Sequence, residues 1–152
     1  MTRATSMTDA GFCPRLRIGT YAVWLRIDGL PAAVRASGVL ASDPANANEA
    51  EVYAALCGVW LAQRRGAREV LVQSDSMAVI EAVRGTHRLY APLWRAELQE
   101  HGLHDMVVRA KHVKGHTNVD DARSWVNRWC DAQCRSQLQK ARTCKQTRSS
   151  NR

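Results

Sequence analysis

No uninterrupted apolar run in this sequence approaches the about 18 residues that a membrane-crossing helix requires. The opening MTRATSMTDAG also lacks the apolar stretch of a secretory signal. A cytoplasmic protein with no membrane partner is therefore expected. Five cysteines are an odd number and too sparse for a disulfide-stapled scaffold, which points to reduced thiols in a reducing compartment. There is no internal repeat and no acid anywhere in residues 132–152.

What is present fits one folded unit. A length of 152 residues, 45% hydrophobic and 24% charged, supports a single domain with a real core. Of the net charge of +8, six units come from Arg135, Lys140, Arg142, Lys145, Arg148 and Arg152; the first 131 residues carry 16 basic against 14 acidic side chains. The expected organisation is a domain over residues 1–140 followed by a basic, flexible tail over 141–152. Such a tail favours nucleic-acid backbone as a partner, although solubility is an alternative use. A monomer is expected.

The residue pattern alternates between strand and helix periods, as in an α/β domain. A short first strand is expected near residues 4–8, a second over GTYAVWLRI (19–27), closed by Asp28-Gly29, and a third over residues 32–41. Val52, Ala55, Leu56, Val59, Trp60 and Gln63 recur at helical spacing within residues 48–65, with Gly66 as the stop. EVLVQ (69–73) predicts a strand, Ser74-Asp75-Ser76 a loop and cap, and MAVIEAVR a helix ending at Gly85. A helix over 91–101, a strand over 106–113 and a last helix starting at a Ser124 cap follow, with the final dozen residues fraying.

Four acids occupy distinctive places: Asp9 after the first strand, Glu51 near the start of the best helix, Asp75 after a hydrophobic strand, and Asp131 in the last helix. Each alone is an ordinary surface acid. Gathered from separate elements, such oxygens hold a hard cation, and without one their crowding is costly. Glu49 and Glu51 are two apart on one helix, so a single pocket selects only one.

The words around these acids resemble the ribonuclease H family. TDAG (8–11) with GTYAVWLR (19–26), NEAEVYAAL (48–56), QSDS (73–76), KGHT (114–117) and NRWCDAQCR (127–135) match its motifs in order, over roughly residues 7–135. The resemblance implies a mixed five-stranded sheet of order 3-2-1-4-5 flanked by helices. It also implies that Asp9, Glu51, Asp75 and Asp131 hold two Mg²⁺ ions, with Mn²⁺ as an alternative. The implied activity is endonucleolytic cleavage of the RNA strand of an RNA·DNA hybrid, leaving 5′-phosphate and 3′-hydroxyl ends. One ion would activate water for in-line attack and the other would stabilise the leaving oxygen.

The same resemblance gives His116 a part in proton movement or product release, and imidazole titrates in the right range for it. Lys114, Arg15 and Arg17 become candidate phosphate contacts. Asn48 is read first as a helix cap and second as a substrate contact; Ser76 is divided between a cap and a phosphate contact. Met77 departs from the polar residue the family often uses there, and the basic protrusion of some relatives is missing. Asp120 and Asp121, in a longer loop, are read first as solvent-facing acids, with approach to the metals on loop movement as the alternative.

Three other readings compete. His112, His116, Cys130 and Cys134 have spacings that suit zinc, but Asp131 falls between the cysteines and belongs to the larger pattern. Trp24, Trp60, Trp94, Trp125 and Trp129 are expected to pack in the core rather than form a stacking platform. Cys57 is expected in the core and Cys144 exposed. A noncatalytic nucleic-acid-binding protein, or a structured-DNA nuclease of the same superfamily, remains the functional alternative.

Overall fold

The computed structural model describes residues 2–114 and 122–150, with side chains for all of these except 122–124 and 145–150. Three strands run first: β1 (Arg3–Cys13), β2 (Ile18–Ile27) and β3 (Val34–Val39). They form an antiparallel meander, turned between β2 and β3 at Asp28-Gly29. Helix α1 (Ala47–Arg64) then leads to β4 (Glu69–Ser74), helices α2 (Met77–Arg84) and α3 (Tyr90–Glu100), strand β5 (Val107–His112), and α4 (Ala122–Ser150). Strands β4 and β5 add in parallel beside β1, giving the order β3-β2-β1-β4-β5. This mixed sheet is the one the family resemblance implied.

Alternation along β2 explains the two layers. Val23, Leu25 and Ile27 turn to one face, where they are buried with Val52, Val59, Val70 and Val72 and with α1. Ala22 and Trp24 turn to the other, where α4 brings Cys130, Cys134 and Trp129. Each fully buried Val or Leu contributes about 1.5–3 kcal/mol, so this two-sided burial fixes the register. Gly58 lets α1 come close, because a Cβ there would lie 2.3 Å from Ser6 Oγ and 2.9 Å from Thr8 Cγ2. Gly85 ends α2 in the left-handed region at φ 80.

Several boundaries differ from the sequence expectations. β1 runs through Cys13, so Asp9 lies inside the strand rather than after it; pairing to both β2 and β4 extends a segment whose own apolar pattern is weak. The cap of α1 is Asn46, whose Oδ1 accepts from Glu49 N at 2.8 Å, and Asn48 is a helical residue. Ser76 precedes α2 without a side-chain capping bond; instead Ser74 Oγ accepts from Ser76 N at 3.1 Å. Ser124 lies inside α4, and that helix continues through the stretch expected to fray, up to Ser150.

The tryptophans divide. Trp94 is 3% exposed and belongs to the main core, but Trp60 is 42% exposed beneath the Arg64 guanidinium, at 4.9 Å from its ring centroid. Trp125 is 48% exposed, with its ring edge-to-face on Trp24 at 5.0 Å. Helical spacing placed both on α-helices, but which flank of a helix meets the sheet is a tertiary property.

Candidate metal centre

The register of β1 and β4 places the first two acids side by side. Met7 pairs with Gln73 in parallel, so two positions further Asp9 comes level with Asp75, just past the last paired residue of β4. Neighbouring strands lie about 4.8 Å apart, which brings the two carboxylates within reach of one ion. Glu51 arrives from the second turn of α1, which packs over β1 and β2. One oxygen from each of Asp9, Glu51 and Asp75 lies within 4.8 Å of the others. Among the described residues this is the set of His, Cys, Asp and Glu side chains that converges in a metal-holding arrangement.

The electrostatics of the trio follow from crowding. Asp9 is 8% exposed, and burial raises its carboxyl above the ordinary range, with the Asp75 charge adding to the effect; a hydrogen bond from Ala10 N at 3.0 Å opposes it. Glu51 is raised further, first by burial and then by Asp9 and Asp75. Its Oε2 is buried with no hydrogen-bond partner. An orphaned carboxylate oxygen facing two other acids is the environment a hard cation satisfies: oxygen donors only, with net negative charge. The residues therefore fit a divalent metal.

The loop bearing Asp75 is held from both sides. Ser74 Oγ takes the Ser76 amide, and His112 Nε2 lies 3.2 Å from the Asp75 carbonyl oxygen. On the opposite face α4 is seated on the backbone of β1. Cys134 Sγ donates to Asp9 O at 3.2 Å, Cys130 Sγ donates to Met7 O, and Thr20 Oγ1 donates to Cys134 O at 3.1 Å. Burial, reinforced by the neighbouring carboxylates, pushes both thiols up and keeps them protonated. The zinc reading fails for these cysteines, because their sulfurs are committed to β1 carbonyls while His112 serves the Asp75 loop.

Asp131 stands apart from the tight trio. Its negative charge contributes to the raised Asp9 carboxyl, yet its own carboxylate is ion-paired with Arg135 one turn along α4. Asn48, Ser76 and Met77 line a groove of about 490 Å³ together with Glu51, Asp75 and His87. Arg15 and Arg17 are exposed in the β1–β2 turn; Cys13, where β1 ends, is already about 13 Å along the strand from Asp9. Lys114 is exposed just after β5. His116, Asp120 and Asp121 lie outside the described residues. Cys57 lines a separate apolar cleft with Tyr21, Tyr53 and Trp60, its thiol pushed up by burial to about 11. Cys144 is exposed.

Two residues of this region escaped the sequence reading: Asn46, the actual cap, and His87, which received no role. Asn46 is followed three residues later by Glu49, but Asn48 stands in the same relation to Glu51, so capping-box spacing did not choose between them.

A protein-family model described as reverse transcriptase-like matches residues 32–120. The chain belongs to that family. The match contains Glu51 and Asp75 and leaves Asp9 and Asp131 on either side of it. No curated protein matches this reverse transcriptase-like chain in sequence. Its fold is ribonuclease H-like, and solved structures align over nearly the whole of it. The N-terminal RNase H domain of rv2228c from Mycobacterium tuberculosis is 16% identical, with TM-score 0.68 over 93% of this chain and 99% of that one. RNase H1 from Halobacterium salinarum NRC-1 is 19% identical, with TM-score 0.63 over 91% and 98%. LC11-RNase H1, solved in complex with RNA/DNA hybrid, is 17% identical, with TM-score 0.62 over 91% and 98%.

Proposed function

We propose that this reverse transcriptase-like chain is a metal-dependent ribonuclease H-type endonuclease that cuts the RNA strand of RNA·DNA hybrids, leaving 5′-phosphate and 3′-hydroxyl ends. The observation that carries this reading is the convergence of Asp9, Glu51 and Asp75 within 4.8 Å, on a fold shared with an RNase H1 solved with RNA/DNA hybrid. A binding protein that only gripped polyanions would gain nothing from three crowded, mutually repelling acids.

Asp9, Glu51 and Asp75 would hold divalent metal, with Asp131 joining from α4 as the fourth carboxylate. Two bound Mg²⁺ ions, or Mn²⁺ in their place, would supply an activated water and charge stabilisation of the leaving oxygen. The protein orients its acids through the Ala10, Ser74 and His112 hydrogen bonds and excludes water on the α4 side by the Cys130 and Cys134 seating. In this reading His116 moves a proton near the departing product, Asn48 and Ser76 contact substrate in the groove, and Lys114, Arg15 and Arg17 meet phosphates.

The proposed domain is residues 1–140, with the basic stretch 141–152 adding sequence-independent attraction to nucleic-acid backbone. All three clustered acids come from one chain, which suits a monomer, and the free cysteines suit a reducing cytoplasmic setting. Among the described residues no helix is long and apolar enough to cross a membrane.

The test is cleavage of labelled RNA·DNA hybrid, single-stranded RNA, duplex RNA and duplex DNA with Mg²⁺, Mn²⁺ or EDTA. Asp75→Asn is the matched variant, for which the loss of metal-held charge predicts at least about a 100-fold slower reaction. Selective metal-dependent cutting of the hybrid's RNA strand establishes the activity. Folded protein that leaves hybrid intact with both metals refutes it and favours the noncatalytic or structured-DNA alternatives.

A further inference from the structure

We infer that His87 is a substrate-binding residue, presenting a fixed neutral Nε2–H into the groove beside Glu51 and Asp75 as a donor to an acceptor oxygen of the nucleic-acid backbone. The inference rests on the proposed hybrid substrate.

The backbone of His87 is pinned at both ends: its N–H donates to Glu81 O at 3.2 Å, and its carbonyl accepts from Ala91 N at 3.1 Å. Its Nδ1 accepts two backbone hydrogen bonds, from Leu89 N at 3.2 Å and Tyr90 N at 3.0 Å. A proton on Nδ1 would point at both amide hydrogens, so the neutral ring carries its proton on Nε2. The ring stacks on Tyr90 at 4.4 Å between centroids and 29° between planes. Tyr90 Oη in turn donates to Asn46 Oδ1 at 3.0 Å, the oxygen that caps α1. The imidazole is thereby tied to the starts of both α3 and α1, and α1 carries Glu51 one turn further on.

His87 is half-buried, lines the same groove as Glu51, Asp75, Asn48 and Ser76, and its Nε2 has no partner among the described residues. A ring serving only as a helix cap needs Nδ1 alone. Here the tautomer set by the capping amides leaves one donor whose direction is already paid for by fixed structure, which is how a site lowers the ordering cost of binding. Because the donor is neutral, it strengthens binding without adding counterion release.

The variant is His87→Asn, whose side-chain oxygen can still accept from the α3 amides but which lacks the imidazole Nε2–H. Affinity for a short fluorescein-labelled RNA·DNA hybrid is measured by anisotropy in EDTA at several salt concentrations, with KM and kcat measured in Mg²⁺. One lost neutral hydrogen bond predicts hybrid affinity about 3–10-fold weaker and KM raised by a similar factor. The salt slope, kcat and melting temperature should stay near wild type. Equal affinity for variant and wild type overturns the inference and leaves His87 as a cap.

Independently of folding of the variant, ¹⁵N-histidine spectra of the wild-type protein should show Nε2 protonated and Nδ1 bare, with the Nε2 signal moving when hybrid is added. An Nδ1–H tautomer, or an unmoved Nε2 signal, overturns it as well. If hybrid is bound in a His87-dependent way but is not cut, the inference stands and the proposed cleavage activity fails.

Discussion

The Asp131 carboxylate is bound by the guanidinium of Arg135, four residues on along the exposed side of α4. The carboxylate proposed as the fourth of the cluster is thus turned toward a cation of its own chain. The Arg135 side chain is 76% exposed, so the pair is worth at most about 1 kcal/mol and yields readily to a divalent ion.

Replacing Arg135 with Gln should therefore free Asp131 for metal. The half-saturating Mg²⁺ concentration for hybrid cleavage is expected to fall by up to about 5-fold, with stability changed by at most about 1 kcal/mol. A metal titration of initial rates beside a urea melt checks both.

The raised Asp9 and Glu51 carboxyls give the metal-free protein a defined pH dependence. Both hold protons more tightly folded than unfolded, so the folded state binds more protons and stability falls as pH rises. The loss begins near the ordinary carboxylate range, about pH 4, and continues through neutrality. Melting in EDTA should drop by at least about 3 °C between mildly acidic and mildly alkaline buffer. Glu51→Gln should flatten that slope, and Mg²⁺ should restore wild-type stability at the alkaline end by binding only the folded form.

Gly58→Ala tests the seating of α1. Alanine is the better helix former by about 1 kcal/mol, yet its Cβ would press on Ser6 Oγ and on the branched Thr8 side chain. Overpacking costs about 1–3 kcal/mol, so a net loss of stability is expected. Adding Ser6→Ala should recover part of it, as thermal melts of the single and double variants would show.

Trp60 and Trp94 should behave oppositely when changed to Ala. Trp94, at 3% exposure in the main core, is expected to cost about 3–5 kcal/mol. Trp60, at 42% exposure, should cost well under half as much. Denaturant midpoints of the two variants compare them directly.

The sequence by itself determined the alternation of elements, the helix over Val52 to Gln63, the strand ending before Asp75 and the order in which the acids occur. These are local properties: periodicity, turn residues and short motifs are written within a few neighbours of each position. The tertiary structure alone decided that Asp9 sits inside β1, because the strand is extended by partners that lie far away in the chain. It also chose Asn46 over Asn48 as the cap, since two identical spacings overlapped and only the placement of α1 against Tyr90 separates them. The cysteines that suggested zinc became the seat of α4 once β1 supplied carbonyl acceptors. His87 divides in the same way: its capping amides and stacked ring are local, at Leu89 and Tyr90, but the groove that it lines exists only once Glu51 of α1 and Asp75 beyond β4 are brought beside it.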